Sequence, residues 1–246
     1  GSFLSFTSVV ASSSFFPMPE AKLDTTQKAQ AINFDRNKYG PFAEIGAGQE
    51  VARWFFQVGG AAGTVAKSMS AYDMAVSDAI YGNTERYVSQ DRLLHMLDHE
   101  YDLLHKRLSA DRGRETRFFV YANTVAARSF SYQQDGQGWM GIRFQVSPMS
   151  PPNDIIMHVR LLDEENLKQQ EAVGIIGVNL VHGAMEYPNG PHRILEELLD
   201  GLEPWRAEVG LLRFSGPDFE AVDNRIMALE LVQQGHAKAT LFNVDG

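Results

Sequence analysis

A group of polar residues near the end of the sequence has the residue types and spacing of a ligand site. In LLRFSGPDFEAVDNR, Ser215, Gly216 and Asp218 follow a predicted strand. Asn224 and Arg225 then open the next predicted helix. Ligands of α/β proteins commonly bind where strands end. The guanidinium of an arginine at this place is suited to hold a phosphate or a carboxylate.

Asp163 ends another predicted strand and supplies a second carboxylate. If the two strands are neighbours, Asp163 and Asp218 would form a pair suited to proton transfer. We therefore predict that Asp163, Asp218 and Arg225 are catalytic, and that an enzyme would gather them around one concave pocket. The predicted ligand-binding residues beside them are Ser215, Gly216 and Asn224. In the alternative interpretation, an aspartate caps the helix and Arg225 makes an ion pair.

The segment FQVGGAAGTVAKSMSAYD combines glycines with a lysine–serine pair and raises the question of phosphate binding. Glycines let backbone N–H groups turn toward an anion. A Walker A loop has glycine directly before its lysine, whereas Ala66 precedes Lys67 and Gly63 lies four residues before Lys67. Lys67 remains a candidate ligand-binding residue. The spacing favours close packing by the small residues, with Lys67 reaching solvent or a carboxylate and no room for valine at Gly63.

The segment GAGQEVA, from Gly46 to Ala52, resembles the dinucleotide-binding fingerprint in part. It contains two of the glycines of that motif, but Val51 stands where the third belongs. The pattern therefore gives no firm nucleotide site, and the sequence identifies no cofactor.

A stripe of histidines and aspartates on one predicted helix could in principle bind a metal. His95 and His99 are one helical turn apart, a spacing at which two histidines can share an ion. Met96 stands where a zinc protease has its catalytic glutamate. A polar stripe on an amphipathic helix is more often solvated, so we predict no metal site.

Helices dominate the first half of the predicted fold, and strands appear after Arg117. Apolar and small residues predict helices near 49–58 and 64–79, and Ser89 caps a long helix with leucines at helical spacing. The runs RFFVYANTVAA, WMGIRFQV and DIIMHVRLLD predict an antiparallel meander. A buried helix follows, in which Gly174 and Gly177 allow close packing. The predicted fold class is α+β, with a helical N-terminal part packed on a mixed, largely antiparallel sheet built after Arg117.

Composition excludes several classes of function. The chain carries 22 basic and 31 acidic residues, a net charge of −9, which repels a polyanion, so no nucleic-acid partner is expected. Cysteine is absent, which excludes disulfides, thiolate nucleophiles and cysteine-ligated metals.

The two ends of the chain suggest a leader and a continuation. We interpret residues 1–37 as a leader and extended arm, and 38–246 as a single domain of cytoplasmic type. The uncharged segment Phe3–Pro19 is typical either of organelle, including chloroplast, or export targeting, or of an arm that docks on a protein or membrane complex. ATLFNVDG resembles a strand cut at a turn, so we expect the chain to be the first part of a longer protein.

Three segments carry a resemblance to a known family. They are YGPFAEIGAGQEVARWFFQVGG and its continuation to Gly82, HVRLLDEENLKQQEAVGIIGVNL, and RFSGPDFEAVDNRIMALELVQQGHAKATLFNVDG. Over Lys38 to Gly246 the chain resembles a family of uncharacterised bacterial proteins often labelled TonB-dependent receptor or nicotinate-nucleotide adenylyltransferase. The resemblance implies family membership and a longer chain. It transfers no catalytic residue, because Gly183 and Ala184 follow His182 in place of a His-x-Gly-His motif.

The favoured function is the binding or processing of a small anionic metabolite that bears phosphate or carboxylate groups. Whether the protein is an enzyme stays open at this point. The alternative is a structural or assembly subunit that docks through its N-terminal arm. A homo-oligomer is compatible with either.

Overall fold

The computed structural model describes residues 22–128 and 135–240. Its helices are α1 (Thr25–Phe34), α2 (Glu50–Gln57), α3 (Met74–Tyr81), α4 (Gln90–Arg112), α5 (Asn166–Glu186), α6 (Pro191–Glu197) and α7 (Asn224–Gln233). Its strands are β1 (Lys38–Gly46), β2 (Val65–Met69), β3 (Arg117–Ala126), β4 (Gly136–Gln145), β5 (Pro152–Leu161) and β6 (Ala207–Ser215). Short 3-10 turns lie at Ala61–Gly63 and Pro217–Phe219.

The six strands form one mixed sheet in the order β2-β1-β3-β4-β5-β6. β1 is parallel to β2 and to β3. From β3 to β6 each strand is antiparallel to the next. The runs after Arg117 thus form the predicted meander, and the α+β class with a largely antiparallel sheet is confirmed.

Helices cover both faces of the sheet. The larger apolar core lies on the face covered by α1, α2, α5, α6 and α7. On the other face α4, with α3 beside it, packs on β1, β3 and β4. Along β3, Phe119 and Tyr121 enter the larger core, and Phe118 and Val120 enter the smaller one. Because neighbouring residues of a strand point to opposite faces, a strand covered on both sides is apolar over most of its length.

Gly174 and Gly177 let α5 approach α2 closely. A Cβ atom on Gly177 would lie 2.2 Å from Cγ2 of Val51 and 2.7 Å from the hydroxyl oxygen of Tyr121. A Cβ atom on Gly174 would lie 2.9 Å from Nε1 of Trp54. These separations are shorter than van der Waals contact, so the predicted close packing at both glycines is confirmed.

The N-terminal part contributes strands as well as helices, which corrects the expectation that the sheet is built only after Arg117. The expected extended arm, which ends at residue 37, contains the helix α1. Residues 64–79, expected to be a helix, contain β2 before α3 begins. β1 contains glycine and proline, which weaken a strand in isolation. Pairing with β2 on one side and β3 on the other overrides that local preference.

Several predictions concern residues outside the described ranges. The leader Phe3–Pro19 and residues 241–246 of the predicted last strand lie there. Targeting and a partner of the N-terminal arm therefore stay predictions, and the domain boundary at residue 37 and a homo-oligomer are likewise predictions. Among the helices of 22–128 and 135–240, none offers the stretch of apolar sequence that a membrane span requires.

Candidate functional site

A groove lies between β6, at one edge of the sheet, and α7. Its volume is about 430 Å³. Ligand pockets of proteins typically measure about 300 to 1,000 Å³. The lining residues come from β6, α7 and the segment after α7: Val209, Gly210, Leu211, Leu212, Arg213, Asn224, Arg225, Ala228, Leu231, Ala237, Ala239 and Thr240. The groove therefore has the size of a small-molecule site and contains two of the residues predicted from the sequence.

Asn224 fixes the start of α7 against β6. Its Oδ1 accepts a hydrogen bond from the backbone N–H of Phe214 at 2.7 Å, and its Nδ2 donates to the Phe214 carbonyl at 3.0 Å. Asp223 caps the same helix by accepting from the backbone N–H of Arg225 at 2.9 Å. Because Phe214 is buried in the larger core, the two walls of the groove are held together.

Two arginines are among the residues that line the groove. Arg213 is exposed and makes no ion pair with any residue in the described ranges. Arg225 donates from Nε and Nη2 to the two carboxylate oxygens of Asp223, at 3.2 and 3.1 Å. These hydrogen bonds lower the pKa of Asp223, which stays ionised at neutral pH. The pair leaves Nη1 of Arg225 without a partner in the described part of the chain.

The segment after α7 runs beside the outer edge of β6. The carbonyl oxygen of His236 accepts from the N–H of Val209 at 2.8 Å. Oε1 of Glu208 accepts from the N–H of Lys238 at 3.1 Å. Burial lowers the pKa of His236, so its imidazole adds no positive charge near neutral pH. The arginines are thus the source of positive charge in the groove lining.

Ser215 ends β6, and Gly216 and Asp218 follow it, but none of the three lines the groove. Oδ2 of Asp218 accepts from Nδ2 of Asn153 at 2.8 Å, and the Asp218 N–H donates to Oδ1 of Asn153 at 3.0 Å. Gly216 has φ +118°, and a Cβ atom there would lie 2.4 Å from Oδ1 of Asn153. These contacts anchor the turn after β6 to the start of β5.

Asp163 lies at the opposite end of the β5–β6 pair from Asp218. The two strands are neighbours, as the sequence interpretation required, but they are antiparallel. β5 has 10 residues, and at about 3.3 Å per residue its ends are roughly 30 Å apart. Oδ2 of Asp163 accepts from Nε of Arg206 at 2.9 Å. Catalytic roles for these residues stay predictions, and only Arg225 among them reaches the groove.

Lys67 lies on β2, at the other edge of the sheet from the groove. Its Nζ is 2.7 Å from Oε2 of Glu100, whose side chain is buried. The expectation that Lys67 reaches a carboxylate is confirmed. The expectation of tight packing at Gly63 is wrong, because a Cβ atom there would meet nothing within 4 Å.

The N-terminus of α2 already holds an internal anion. The carboxylate of Glu44 accepts from the N–H groups of Val51 and Ala52, at 3.1 and 2.9 Å. It also accepts from Nδ2 of Asn123 at 3.0 Å. Burial raises the pKa of Glu44 to about 7, against the opposing effect of these hydrogen bonds. A phosphate at GAGQEVA would need the same N–H groups, so the geometry does not favour nucleotide binding there.

Sequence reasoning missed Glu44 because the carboxylate comes from β1, a strand that the pattern did not predict. In the described ranges, no three His, Cys, Asp or Glu side chains meet in a way that could hold a metal ion. In the histidine stripe, His99 packs edge-on against the ring of Tyr81, with centroids 5.4 Å apart.

Comparison with known proteins gives no family. Neither protein-family models nor curated proteins match the sequence. Among solved structures, the chain is similar to the competence/damage-inducible protein CihA of Agrobacterium tumefaciens, with a TM-score of 0.45 and 14% identity over 67% of this chain and 97% of that one. A CinA-superfamily protein of Enterobacter cloacae gives a TM-score of 0.45 and 10% identity over 72% and 99%. These names differ from the labels that the sequence resemblance implied. Structural similarity at a TM-score of 0.45 supports no conclusion about function.

Proposed function

We propose that this protein binds a small organic acid, bearing carboxylate or phosphate groups, in the groove between β6 and α7. The observation that carries the proposal is that Arg213 and Arg225, from two different elements, line one groove of about 430 Å³. Guanidinium groups bind carboxylates and phosphates through paired, charge-assisted hydrogen bonds. The proposal concerns binding, since the two predicted catalytic aspartates lie elsewhere.

The charge balance of the lining supports an anionic ligand. No aspartate or glutamate occurs among the described residues that line the groove. Asp223 occupies one edge of the Arg225 guanidinium and leaves the rest of its donors to solvent. An anion in the groove would therefore meet no lining carboxylate and would find the free donors of Arg225 beside the Asp223 pair, although the whole chain is acidic.

The apolar lining supports a ligand with a carbon skeleton. Leu211 and Leu212 on β6 and Ala228 and Leu231 on α7 line the groove between the charged residues. Apolar walls with a few placed polar groups are typical of metabolite sites. Leu212 and Leu231 are already packed in the larger core, but Leu211 is 39% exposed, and a ligand with a carbon skeleton would cover it where inorganic phosphate would not.

Isothermal titration with citrate, succinate and inorganic phosphate tests the proposal. We expect citrate or succinate to bind more tightly than phosphate. Arg213→Gln should raise the dissociation constant about tenfold or more, since a hydrogen bond to a charged group contributes about 1.5 to 3 kcal/mol. Arg225→Gln should have a smaller effect because Asp223 already engages that side chain.

Arg193→Gln is the matched control. Arg193 is also exposed and pairs with a nearby carboxylate, that of Glu196 at 3.3 Å, but it lies outside the groove. Its substitution should leave binding unchanged. Absence of heat with all three anions, or equal losses in the Arg193 and Arg213 variants, would refute the proposal.

A further inference from the structure

We propose a second binding site, specific for a short aliphatic monocarboxylate, in the pocket between β2 and α4. The pocket has a volume of about 110 Å³. Lys67 on β2 and Glu100 and Arg107 on α4 line it together with three leucines. It lies at the opposite edge of the sheet from the β6–α7 groove. This site is independent of the proposed function above.

An irregularity in the β1–β2 ladder directs Lys67 toward α4. Gly40 pairs with Val65, and Phe42 pairs with Ser68. An advance of two residues along β1 therefore corresponds to an advance of three residues along β2, which defines a β-bulge. The extra residue is Ala66 or Lys67, and both line the pocket. Bulges of this kind re-aim side chains and are over-represented beside functional sites. Without the bulge, residues 65–69 would alternate regularly between the two faces.

Glu100 forms a buried, fixed base for the pocket. Its side chain is 0% exposed, and its Oε2 lies 2.7 Å from Nζ of Lys67. Oε1 accepts a hydrogen bond from the hydroxyl of Tyr81 at 2.9 Å. The contact is an ion pair without the alignment of a hydrogen bond, so the three donors of the ammonium stay available to a ligand. The side chain of Lys67 is 37% exposed, so the ammonium reaches the open side of the pocket as well.

The charges at this pocket sum to a single positive charge. Lys67 and Arg107 supply two cations and Glu100 one anion. Arg107 is exposed and forms no ion pair within the described part of the chain. A monoanion bound at the mouth, between Lys67 and Arg107, would bring the local charge to zero. A dianion would leave an excess negative charge beside the buried carboxylate.

The volume of the pocket and its apolar lining limit the part of the ligand that lies beyond the carboxylate. Leu103, Leu104 and Leu108 supply apolar surface between the charged residues. A cavity of about 150 Å³ holds benzene, so this smaller pocket accommodates roughly four or five heavy atoms. Propionate, with five heavy atoms, satisfies both requirements: a carboxylate for the two cations and a short alkyl chain for the leucines.

Methyl NMR of the full chain, with labelled leucines, tests the proposal directly. Sodium propionate is titrated to about 100 mM against sodium chloride of equal ionic strength; a ligand of this size binds in the millimolar range. We expect saturable shifts of the methyl signals of Leu103, Leu104 and Leu108 with propionate but not with chloride. Absence of saturable shifts would overturn the proposal.

Variants separate the pocket from general anion binding. Arg107→Gln should raise the dissociation constant severalfold, and Lys106→Gln, an exposed neighbour that does not line the pocket, should leave it unchanged. Lys67→Gln should abolish binding; if that variant loses its fold, Leu103→Phe, which fills the pocket without changing a charge, should abolish it instead. Equal effects of the Lys106 and Arg107 variants, or full binding by Leu103→Phe, would overturn the proposal. Arg213→Gln should leave the propionate-induced methyl shifts unchanged. The experiments therefore test the β2–α4 pocket and the β6–α7 groove independently.

Discussion

Glu44 binds its proton more tightly in the folded protein than in the unfolded chain. Burial raises its pKa from 4.5 to about 7, and the nearby charge of Glu50 acts in the same direction. A carboxyl group with a raised pKa contributes its full stabilisation below pH 4.5 and loses it as the pH rises through 7. A shift of this size corresponds to roughly 3 kcal/mol.

The residue-scale prediction is that Glu44 contributes a fall in the free energy of unfolding between pH 4.5 and pH 7, opposite to the rise contributed by the lowered pKa values of His158 and His236, and that Glu44→Gln removes the Glu44 contribution. The variant should also be less stable by about 1 to 3 kcal/mol at acid pH, because an amide cannot accept from all three donors around Glu44. Urea unfolding at several pH values measures both effects. Glu164→Gln, at an exposed position, is the control and should keep this contribution. If the free energy of unfolding depends on pH in Glu44→Gln as it does in the unchanged protein, groups other than Glu44 cause that dependence.

At the scale of elements, long apolar runs were predictable and short paired strands were not. β3 and β5 contain consecutive β-branched and aromatic residues, so their sequences alone distinguish them from helices. β2, VAKSM, has five half-buried residues and acquires its conformation from pairing with β1. No local pattern could reveal that pairing, and the strand was therefore taken for the start of a helix.

The candidate site shows the same division between local and long-range information. Asn224 and Arg225 were found because a strand end and a helix start adjoin them in sequence. Arg213 was not singled out, since a lone arginine in a strand has no local signature. Asp163 was grouped with Asp218 on the assumption that neighbouring strands end together, which holds for parallel strands but not for the antiparallel β5 and β6.

The element-scale prediction concerns the contact between α2 and α5. Gly177→Ala should destabilise the protein by about 1 to 3 kcal/mol, because the new methyl group would overlap Val51 and the hydroxyl of Tyr121. Gly63→Ala is the matched control: its Cβ atom meets no heavy atom within 4 Å, so the effect should stay within about 0.5 kcal/mol. Thermal unfolding compares the two variants. Similar melting temperatures for both would contradict the close packing of α2 on α5.

At the scale of the whole molecule, an acidic chain places a cation of each proposed anion site at one of the two edges of its sheet. The net charge is −9, yet Arg213 lies at the β6 edge and Lys67 at the β2 edge. Salt screens interactions over about 8 to 10 Å, so the overall acidity opposes a bound anion only weakly at physiological ionic strength. Local charge therefore governs which ligands these edges bind.

A buried network of ion pairs and hydrogen bonds joins α1, α5 and the segment from Glu197 to Asp200 beside the larger core. Nζ of Lys28, on α1, lies 3.0 Å from Oδ1 of Asn179 on α5 and 3.1 Å from Oδ2 of Asp200. Oε2 of Glu197 is 3.6 Å from the same ammonium and 2.8 Å from Nδ1 of His182. One lysine thus connects three segments that are distant in sequence.

Two lysines allow a matched measurement of how much burial of an ion pair changes the free energy of unfolding. Lys22 and Lys28 both pair with Asp200, at 2.7 and 3.1 Å, but their side chains are 75% and 2% exposed. Lys28→Met should reduce the free energy of unfolding by about 3 kcal/mol, the lower end of the range for breaking a buried ion pair, because Asp200 keeps only the exposed Lys22 and Glu197 keeps only His182. Lys22→Met should cost at most about 1 kcal/mol, since an exposed pair is screened by water. Urea unfolding of the two variants gives both numbers, and equal losses would mean that Lys28 acts as a surface charge rather than as the centre that joins α1 to α5.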